Sequence, residues 1–321
     1  MESTEKTDRI REKLKRELGP IIGAALADPL VVEVMLNPDG KLWVERLGEP
    51  MRRVGEMRAS NAEALMATIA SSLSTTITRE KPYVEGELLT DGSRFEGEMP
   101  PIVASPSFTI RKKASRVFTL EEYVERGIMT EGQHQTIGAA VRGRRNILVV
   151  GGTGSGKTTL LNAVIQAISK ESPDDRLVII EDTAELQCVS PNVLTLRTSD
   201  TVSMQRLLRI TMRSRPDRIL VGEVRGAEAL ALVKAWNTGH PGGLATVHAN
   251  DAAAGLLRLA QLIEEGLQGG KADPAVIAAA VGLVVVIAKV STAPGRRITE
   301  MLSVKGHEDG RYVFEPILSA S

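Results

Sequence analysis

The chain has 321 residues, enough for two domains with separate hydrophobic cores. Its 40 basic and 40 acidic side chains give a formal net charge of zero, which argues against a general nucleic-acid-binding protein but leaves room for a local basic face. Cys188 is the one cysteine, so the sequence excludes an internal disulfide framework and a multi-cysteine zinc cluster and favours a reducing compartment.

The amino-terminal segment 1–19 is charged and lacks the apolar run of a signal peptide. In the helix predicted here, Ile10, Leu14 and Leu18 recur one turn apart. That spacing fits two alternatives: an ordinary packed helix, or an amphipathic contact with a membrane or a partner.

Residues 1–110 mix strand and helix patterns, and we expect them to form a smaller α+β domain. Two short apolar segments flank the sequence NPDG (37–40), which is typical of a turn between paired strands. A helix is predicted next, opened by a capping box of Ser60 and Glu63.

Residues 111–145 are predicted to link this domain to a second one. They contain the basic segment RKKASR and two short helices, each opened by a capping box: Thr119 with Glu122, and Thr130 with Gln133. The joint between the domains is therefore expected here.

From residue 146 to residue 321, continuous apolar strands alternate with amphipathic helices, a pattern typical of a parallel sheet covered on both faces. The longest apolar run, 275–288, is too short to span a bilayer. We interpret it as the end of a helix, a break at Gly282 and a buried strand. The sequence therefore predicts an α/β domain in a soluble protein.

The sequence GGTGSGKT (151–158) fits the phosphate-loop pattern G-x-x-x-x-G-K-[ST]. An apolar strand enters it and an amphipathic helix leaves it, so the glycine backbone and the helix start can present N–H groups to one anion. We expect Lys157 to reach the β- and γ-phosphates and the Thr158 hydroxyl to ligate Mg²⁺. The predicted nucleoside triphosphate site comprises Gly152, Thr153, Gly154, Ser155, Gly156, Lys157, Thr158 and Thr159.

Acidic residues follow two of the predicted strands. Glu181 and Asp182 end RLVIIED, Glu185 lies just beyond, and Glu223 ends RILVGE. Ligands of parallel sheets bind at the carboxyl ends of the strands, so these acids are candidates for holding a metal ion and orienting a water molecule. Each acid alone would also fit a helix cap or a solvated loop. Glu223 is the sharpest candidate because it alone ends its strand.

Four motifs, in order, carry a resemblance to a known family: GGTGSGKTT, IEDTAEL, RPDRILVGEVRG and TGHPGGLATVHAN. They resemble the Walker A motif, aspartate box, Walker B motif and histidine box of the secretion ATPases of type II and type IV systems, and the resemblance covers most of the chain. The lone Cys188 leaves no tetracysteine zinc motif of type II assembly ATPases, and the sequence has no AIR-type motif of pilus-retraction motors. The chain resembles the conjugal-transfer branch, of the TrbB type.

This resemblance implies roles for individual residues. Lys157 matches the phosphate-binding lysine, Glu223 the catalytic glutamate and Glu185 the critical acid of the aspartate box. His248 matches the histidine placed near the γ-phosphate, where it couples nucleotide state to the sheet. His240 matches the first histidine of the box, and a core or capping histidine is its alternative.

The resemblance also implies a RecA-like ATPase domain over residues 146–321 that binds ATP and Mg²⁺. Arg94 and Arg111, from the amino-terminal domain, match arginines that reach toward the nucleotide. The implied assembly is a cytoplasmic homohexamer, peripherally associated with the inner membrane, whose partners are other conjugative type IV secretion components. The sequence predicts no specific nucleic-acid site.

Two other functions fit the phosphate loop: a RecA-like nucleic-acid motor and a non-hydrolysing nucleotide switch. Aromatic residues make up 3% of the chain, which leaves little for base stacking. Acids at the ends of two strands favour hydrolysis over a passive switch.

Overall fold

The structure of the protein, a computed structural model, describes residues 2–46, 49–113, 116–199, 201–267 and 269–316. The chain forms two compact units that divide between Arg116 and Val117. The predicted linker, 111–145, extends across this division, and its residues 114 and 115 lie outside the described residues. The two units are described separately below.

The first unit contains α1 (Glu2–Ala27), β1 (Val31–Leu36), β2 (Lys41–Arg46), β3 (Arg52–Glu56), α2 (Ala59–Ser72), β4 (Tyr83–Glu87), β5 (Arg94–Glu98) and β6 (Ser107–Arg111). The strands form one antiparallel sheet in the order β3-β2-β1-β6-β5-β4. The predicted turn joins β1 to β2, where the Gly40 N–H donates to the Asn37 carbonyl at 2.9 Å. The prediction of a mixed α and β unit is confirmed for this part of the chain.

The amphipathic face of α1 packs into the core of this unit. Leu14 and Leu18 are buried with the sheet residue Val34 and the α2 residue Leu65, and Ile10 packs against the same cluster. The structure therefore agrees with the packed-helix alternative for these side chains. None of the helices within the described residues is both long and apolar enough to cross a membrane.

The predicted capping box of α2 is wrong. The helix begins at Ala59 with Arg58 as its N-cap, and no side chain accepts a hydrogen bond at that cap. Ser60 is therefore already inside the first turn, where it cannot serve as the N-cap that a capping box with Glu63 requires. Ala62, two residues further on, is buried in the core of the unit.

The second unit contains α3 (Leu120–Glu125), α4 (Glu131–Arg142), β7 (Ile147–Val150), α5 (Lys157–Glu171), β8 (Leu177–Glu181), β9 (Val193–Arg197), α6 (Met204–Thr211), β10 (Arg218–Val221), α7 (Glu228–Asn237), β11 (Leu244–Val247), α8 (Ala252–Gly266), α9 (Pro274–Ala280), β12 (Leu283–Lys289), β13 (Arg296–Glu308) and β14 (Arg311–Pro316). Its sheet has the order β14-β13-β12-β7-β11-β10-β8-β9. The pairs from β12 through β9 are parallel, and β13 and β14 add antiparallel strands at one edge.

Helices cover both faces of this sheet. One core cluster joins the strands to α6, α7, α8 and α9, and the other joins them to α3, α4 and α5. The predicted break of the 275–288 run is present, because α9 ends at Ala280 and β12 begins at Leu283. A mixed α/β unit was predicted and is confirmed.

The two short helices of the predicted linker pack within the second unit. Both predicted capping boxes are confirmed: Thr119 with Glu122 opens α3, and Thr130 with Gln133 opens α4. The buried Tyr123 of α3 belongs to the same core cluster as the sheet. Burial raises the pKa of its phenol far above the usual range.

Candidate nucleotide site

The phosphate loop joins β7 to α5 at the carboxyl edge of the parallel strands. Gly154 and Gly156 have φ values of 68° and 101°, a left-handed geometry that glycine adopts without steric cost. Within the described residues, no hydrogen bond takes up the backbone N–H groups of Thr153, Gly154 or Gly156. The Ser155 hydroxyl is buried and has no hydrogen-bond partner among the described groups. Unused donors beside a helix N-terminus fit an anion.

Lys157 directs its ammonium group back into the mouth of this loop. It donates to the carbonyl oxygens of Gly151 and Gly152 at 3.0 and 3.1 Å. The ammonium group also lies 3.2 Å from His248 Nδ1. Although Lys157 is only 7% exposed, three acceptors surround its charge. The lysine is thus held at the mouth of the loop and beside the end of β11.

His248 and Glu223 meet because β11 and β10 are neighbours in the sheet. His248 Nε2 lies 2.7 Å from Glu223 Oε1. The Lys157 ammonium nitrogen lies 3.2 Å from Nδ1 and 3.3 Å from Nε2, so one imidazole lies between the lysine and the glutamate. The structure therefore brings together three of the residues predicted from separate motifs.

Arg225 completes this cluster and was not predicted from the sequence. Its Nη2 donates to Glu223 Oε2 at 2.5 Å, and its Nη1 lies 3.9 Å from Asp182 Oδ2. The hydrogen bond to Glu223 raises the pKa of the guanidinium. The residue stands in the quoted motif GEVRG, two positions after Glu223, but nothing in the spacing showed that it turns back onto the glutamate.

Glu181 and Glu185 take different positions at the end of β8. Glu181 is 3% exposed, and burial raises the pKa of its carboxyl group. Its Oε2 accepts the backbone N–H groups of Glu185 and Leu186, both at 2.9 Å. Glu181 thus shapes the segment that carries Glu185.

A second anchor holds the same segment to the helix that leaves the phosphate loop. Asn162 of α5 donates to the Glu185 carbonyl at 3.1 Å and accepts the Gln187 N–H at 2.8 Å. The Glu185 backbone is therefore fixed between β8 and α5. Sequence reasoning missed Asn162 because an asparagine inside an amphipathic helix carries no motif.

Thr158 and Thr159 are half-buried in the first turn of α5, directly after Lys157. A hydroxyl at this position and carboxylates such as those of Glu223 and Glu185, which follow the carboxyl ends of β10 and β8, are oxygen donors of the kind that Mg²⁺ prefers. The residues present therefore fit a Mg²⁺ ion bound with nucleotide phosphates, and Thr158 is the group that would hold it.

Arg94 and Arg111 belong to the first unit. They face each other directly across β5 and β6, and Arg111 Nε lies 3.3 Å from Glu33 Oε1. Two like charges opposite each other on a sheet repel, and the carboxylate of Glu33 offsets part of that repulsion at Arg111.

His240 is separated from His248 by the whole length of β11. It precedes that strand, and its Nδ1 lies 3.2 Å from the carbonyl of Ala235 near the end of α7. The capping alternative for His240 therefore agrees with the structure.

The fold is shared with solved bacterial ATPases. An X-ray structure of the Yersinia pseudotuberculosis ATPase DotB superposes with a TM-score of 0.63 over 86% of this chain and 76% of that chain. The two sequences are 17% identical, so this likeness concerns the fold alone.

The sequence itself identifies the family. A family described as type II/IV secretion system protein matches residues 18–294, and the chain belongs to that family. It is 51% identical over 315 residues to the probable conjugal transfer protein TrbB of Sinorhizobium fredii, covering 98% of this chain and 96% of that protein. It is 50% identical over 307 residues to the conjugal transfer protein TrbB of Rhizobium radiobacter, covering 96% and 94%. The resemblance predicted from the four motifs is confirmed.

Proposed function

We propose that this chain is a Mg²⁺-dependent ATPase that energises conjugative type IV secretion, for pilus assembly or substrate translocation. The observation that carries the proposal is the contact chain from Lys157 through His248 to Glu223 beside the phosphate loop. In this proposal residues 146–321 are the RecA-like catalytic domain, residues 1–110 an accessory domain, and residues 111–145 the connection.

The phosphate loop and the helix that follows it, α5, bind the nucleotide. The unused N–H groups of the loop face the phosphates, and Lys157 neutralises charge on the β- and γ-phosphates. Thr158 would hold a Mg²⁺ ion, which when bound would supply Lewis-acid stabilisation of the phosphoryl oxygens. Lys157 leaves its carbonyl acceptors and His248 for the phosphates, a stronger charge-assisted contact.

Hydrolysis falls to Glu223. Its carboxylate orients a water molecule for in-line attack on the γ-phosphorus and accepts the proton, as the bond from that phosphorus to the β–γ bridging oxygen breaks and ADP leaves. His248 positions Glu223 through the close approach of its Nε2 to the carboxylate. Glu185 would help to hold the metal ion, and Arg94 and Arg111 neutralise charge on the transferred phosphoryl group.

The assembly and its surroundings follow from the family. The names of the relatives, conjugal transfer proteins, support a role in plasmid transfer. We propose a cytoplasmic homohexamer at the inner membrane whose partners are other components of the conjugative apparatus.

Two measurements on Glu223→Gln test the proposal. Phosphate release from Mg-ATP tests hydrolysis, and sedimentation velocity with and without Mg-ATP tests assembly. The variant keeps the shape of the side chain but cannot accept the proton, so phosphate release should fall at least a hundredfold. Trapped nucleotide should shift the protein to a six-subunit species.

Glu171→Gln, at the exposed end of α5, is the matched control and should hydrolyse ATP like the unaltered protein. Unchanged turnover in Glu223→Gln would remove the catalytic assignment. A monomer or dimer that persists with Mg-ATP would remove the autonomous hexamer.

A further inference from the structure

Two basic side chains from outside the four motifs lie against the phosphate loop. A Cβ atom built on Gly154 would lie 2.9 Å from the Lys289 ammonium nitrogen, and one built on Gly156 would lie 2.8 Å from Arg296 Nη1. Both glycines have positive φ and belong to the loop itself. The two cations therefore contact the part of the loop that faces nucleotide phosphates in the proposed function.

The sheet fixes the position of this pair. β12 runs parallel to β7 with Val286 opposite Val150, so the end of β12 lies beside the start of the loop. Lys289 and Arg296 are direct partners in the antiparallel pair of β12 and β13. Because both backbones belong to hydrogen-bonded strands, the two charges are held in place more firmly than charges on a free loop.

The order of the strands places Lys289 and Arg296 on the opposite side of β7 from Glu223. On one side of β7 lie β11 and β10, whose carboxyl ends lead to His248 and Glu223. On the other side lies β12, which ends at Lys289. Water activated by Glu223 attacks the γ-phosphorus from the β10 side, so the rest of the nucleotide extends toward β12.

We propose that Lys289 and Arg296 bind the non-reacting side of the nucleotide, at the α- and β-phosphates of a nucleoside di- or triphosphate. Lysine supplies a point charge and arginine a planar pair of donors, so together they clasp the phosphates opposite Lys157. This inference rests on the proposed function, because it takes the loop to be a nucleotide site.

The position predicts a particular kinetic effect. Contacts with groups that do not change during the reaction stabilise substrate and transition state equally, so losing them raises KM and leaves kcat at saturation nearly unchanged. ADP carries the same α- and β-phosphates as ATP. Its affinity should therefore fall by the same factor.

The test is titration of Mg-ATP and Mg-ADP by calorimetry, together with steady-state phosphate release, on Lys289→Ala and Arg296→Ala. We expect each variant to weaken both nucleotides about five- to tenfold and to raise KM by a similar factor. Arg297→Ala is the control, because this exposed neighbour on β13 donates to the carbonyl of Ala293, away from the loop. Lys289→Gln, which keeps a polar side chain of similar reach, serves if the alanine variant unfolds by circular dichroism.

Wild-type affinity for ADP in both variants, or a fall in kcat without a change in affinity, would overturn the inference. Lys157→Ala, measured in the same assays, distinguishes failure of the proposed nucleotide site from failure of the roles assigned to Lys289 and Arg296. If Lys157→Ala also leaves affinity unchanged, the loop is not a nucleotide site and the proposed function fails as well. If Lys157→Ala abolishes binding while the other two variants bind normally, only the assignment of Lys289 and Arg296 fails.

Discussion

His248 lies between the ammonium group of Lys157 and the carboxylate of Glu223. The Lys157 ammonium nitrogen lies 3.2 Å from Nδ1 and 3.3 Å from Nε2, and Nε2 lies 2.7 Å from Glu223 Oε1. Both the lysine of the phosphate loop and the proposed catalytic base therefore lie next to one imidazole ring.

We predict that His248→Ala binds ATP with nearly normal affinity but turns it over at least tenfold more slowly. The phosphates are held by the loop and Lys157, whereas Glu223 loses the imidazole that lies 2.7 Å from its carboxylate. Calorimetric binding and phosphate release on the same sample separate the two effects. His307→Ala, at the opposite end of β13 from Arg296 and in contact with Tyr312 of β14, is the control. A large loss of binding in His248→Ala would make the histidine a ligand of the nucleotide.

At the scale of the element, α2 and α4 show what a capping motif does and does not determine. Both sequences contain a hydroxyl residue followed three positions later by Glu or Gln, yet only Thr130 accepts the predicted bond, from the Gln133 N–H at 3.2 Å. In α2 the helix begins at Ala59, one residue before Ser60, and Ala62 is buried in the core. Tertiary packing overrides the local signal there.

Thr130→Ala and Ser60→Ala form a matched pair for measuring this difference. Loss of the Thr130 cap should cost about 1 kcal/mol and lower the melting temperature of the second unit by about 2–4 °C. Ser60→Ala should leave stability unchanged or raise it slightly, because alanine favours a helix interior. Equal losses in thermal unfolding of the two variants would contradict the structure at α2.

The strands of the second unit differ in how well the sequence predicts them. β7, β8, β10 and β11 are buried along their length and appear as continuous apolar runs. β9 alternates exposed and half-buried residues at the edge of the sheet, and it was not predicted. An edge strand has one unpaired side and a partly solvated face, so its composition resembles that of a loop.

At the scale of the whole molecule, local sequence patterns do not predict the order of the strands in the sheet. β12 follows β11 by two helices in the chain but lies on the far side of β7 in the sheet. No periodicity encodes that order, so the motifs could predict Lys157, Glu223 and His248 but not the approach of Lys289 or Arg296 to the loop. The mixed α/β class was predictable from the alternation of elements, and the neighbours of each strand were not.

The proposed role of Arg94 and Arg111 involves the whole molecule, because it requires the first unit to act on a nucleotide bound by the second. We predict that Arg94→Ala and Arg111→Ala each lower ATP turnover at least tenfold and change the melting temperature little, since both side chains are only half-buried. Arg53→Ala, on β3 of the same sheet, is the control for losing an arginine there. Normal turnover in both variants would confine the reaction to the second unit.

The first residues of β13 have two neighbours of different kinds. Arg296 lies against Gly156 of the phosphate loop. Two residues on, Ile298 donates its N–H to the Ile128 carbonyl between α3 and α4 and accepts from the Gln133 side chain. Three consecutive residues of one strand therefore join the phosphate loop to the segment that contains α3 and α4.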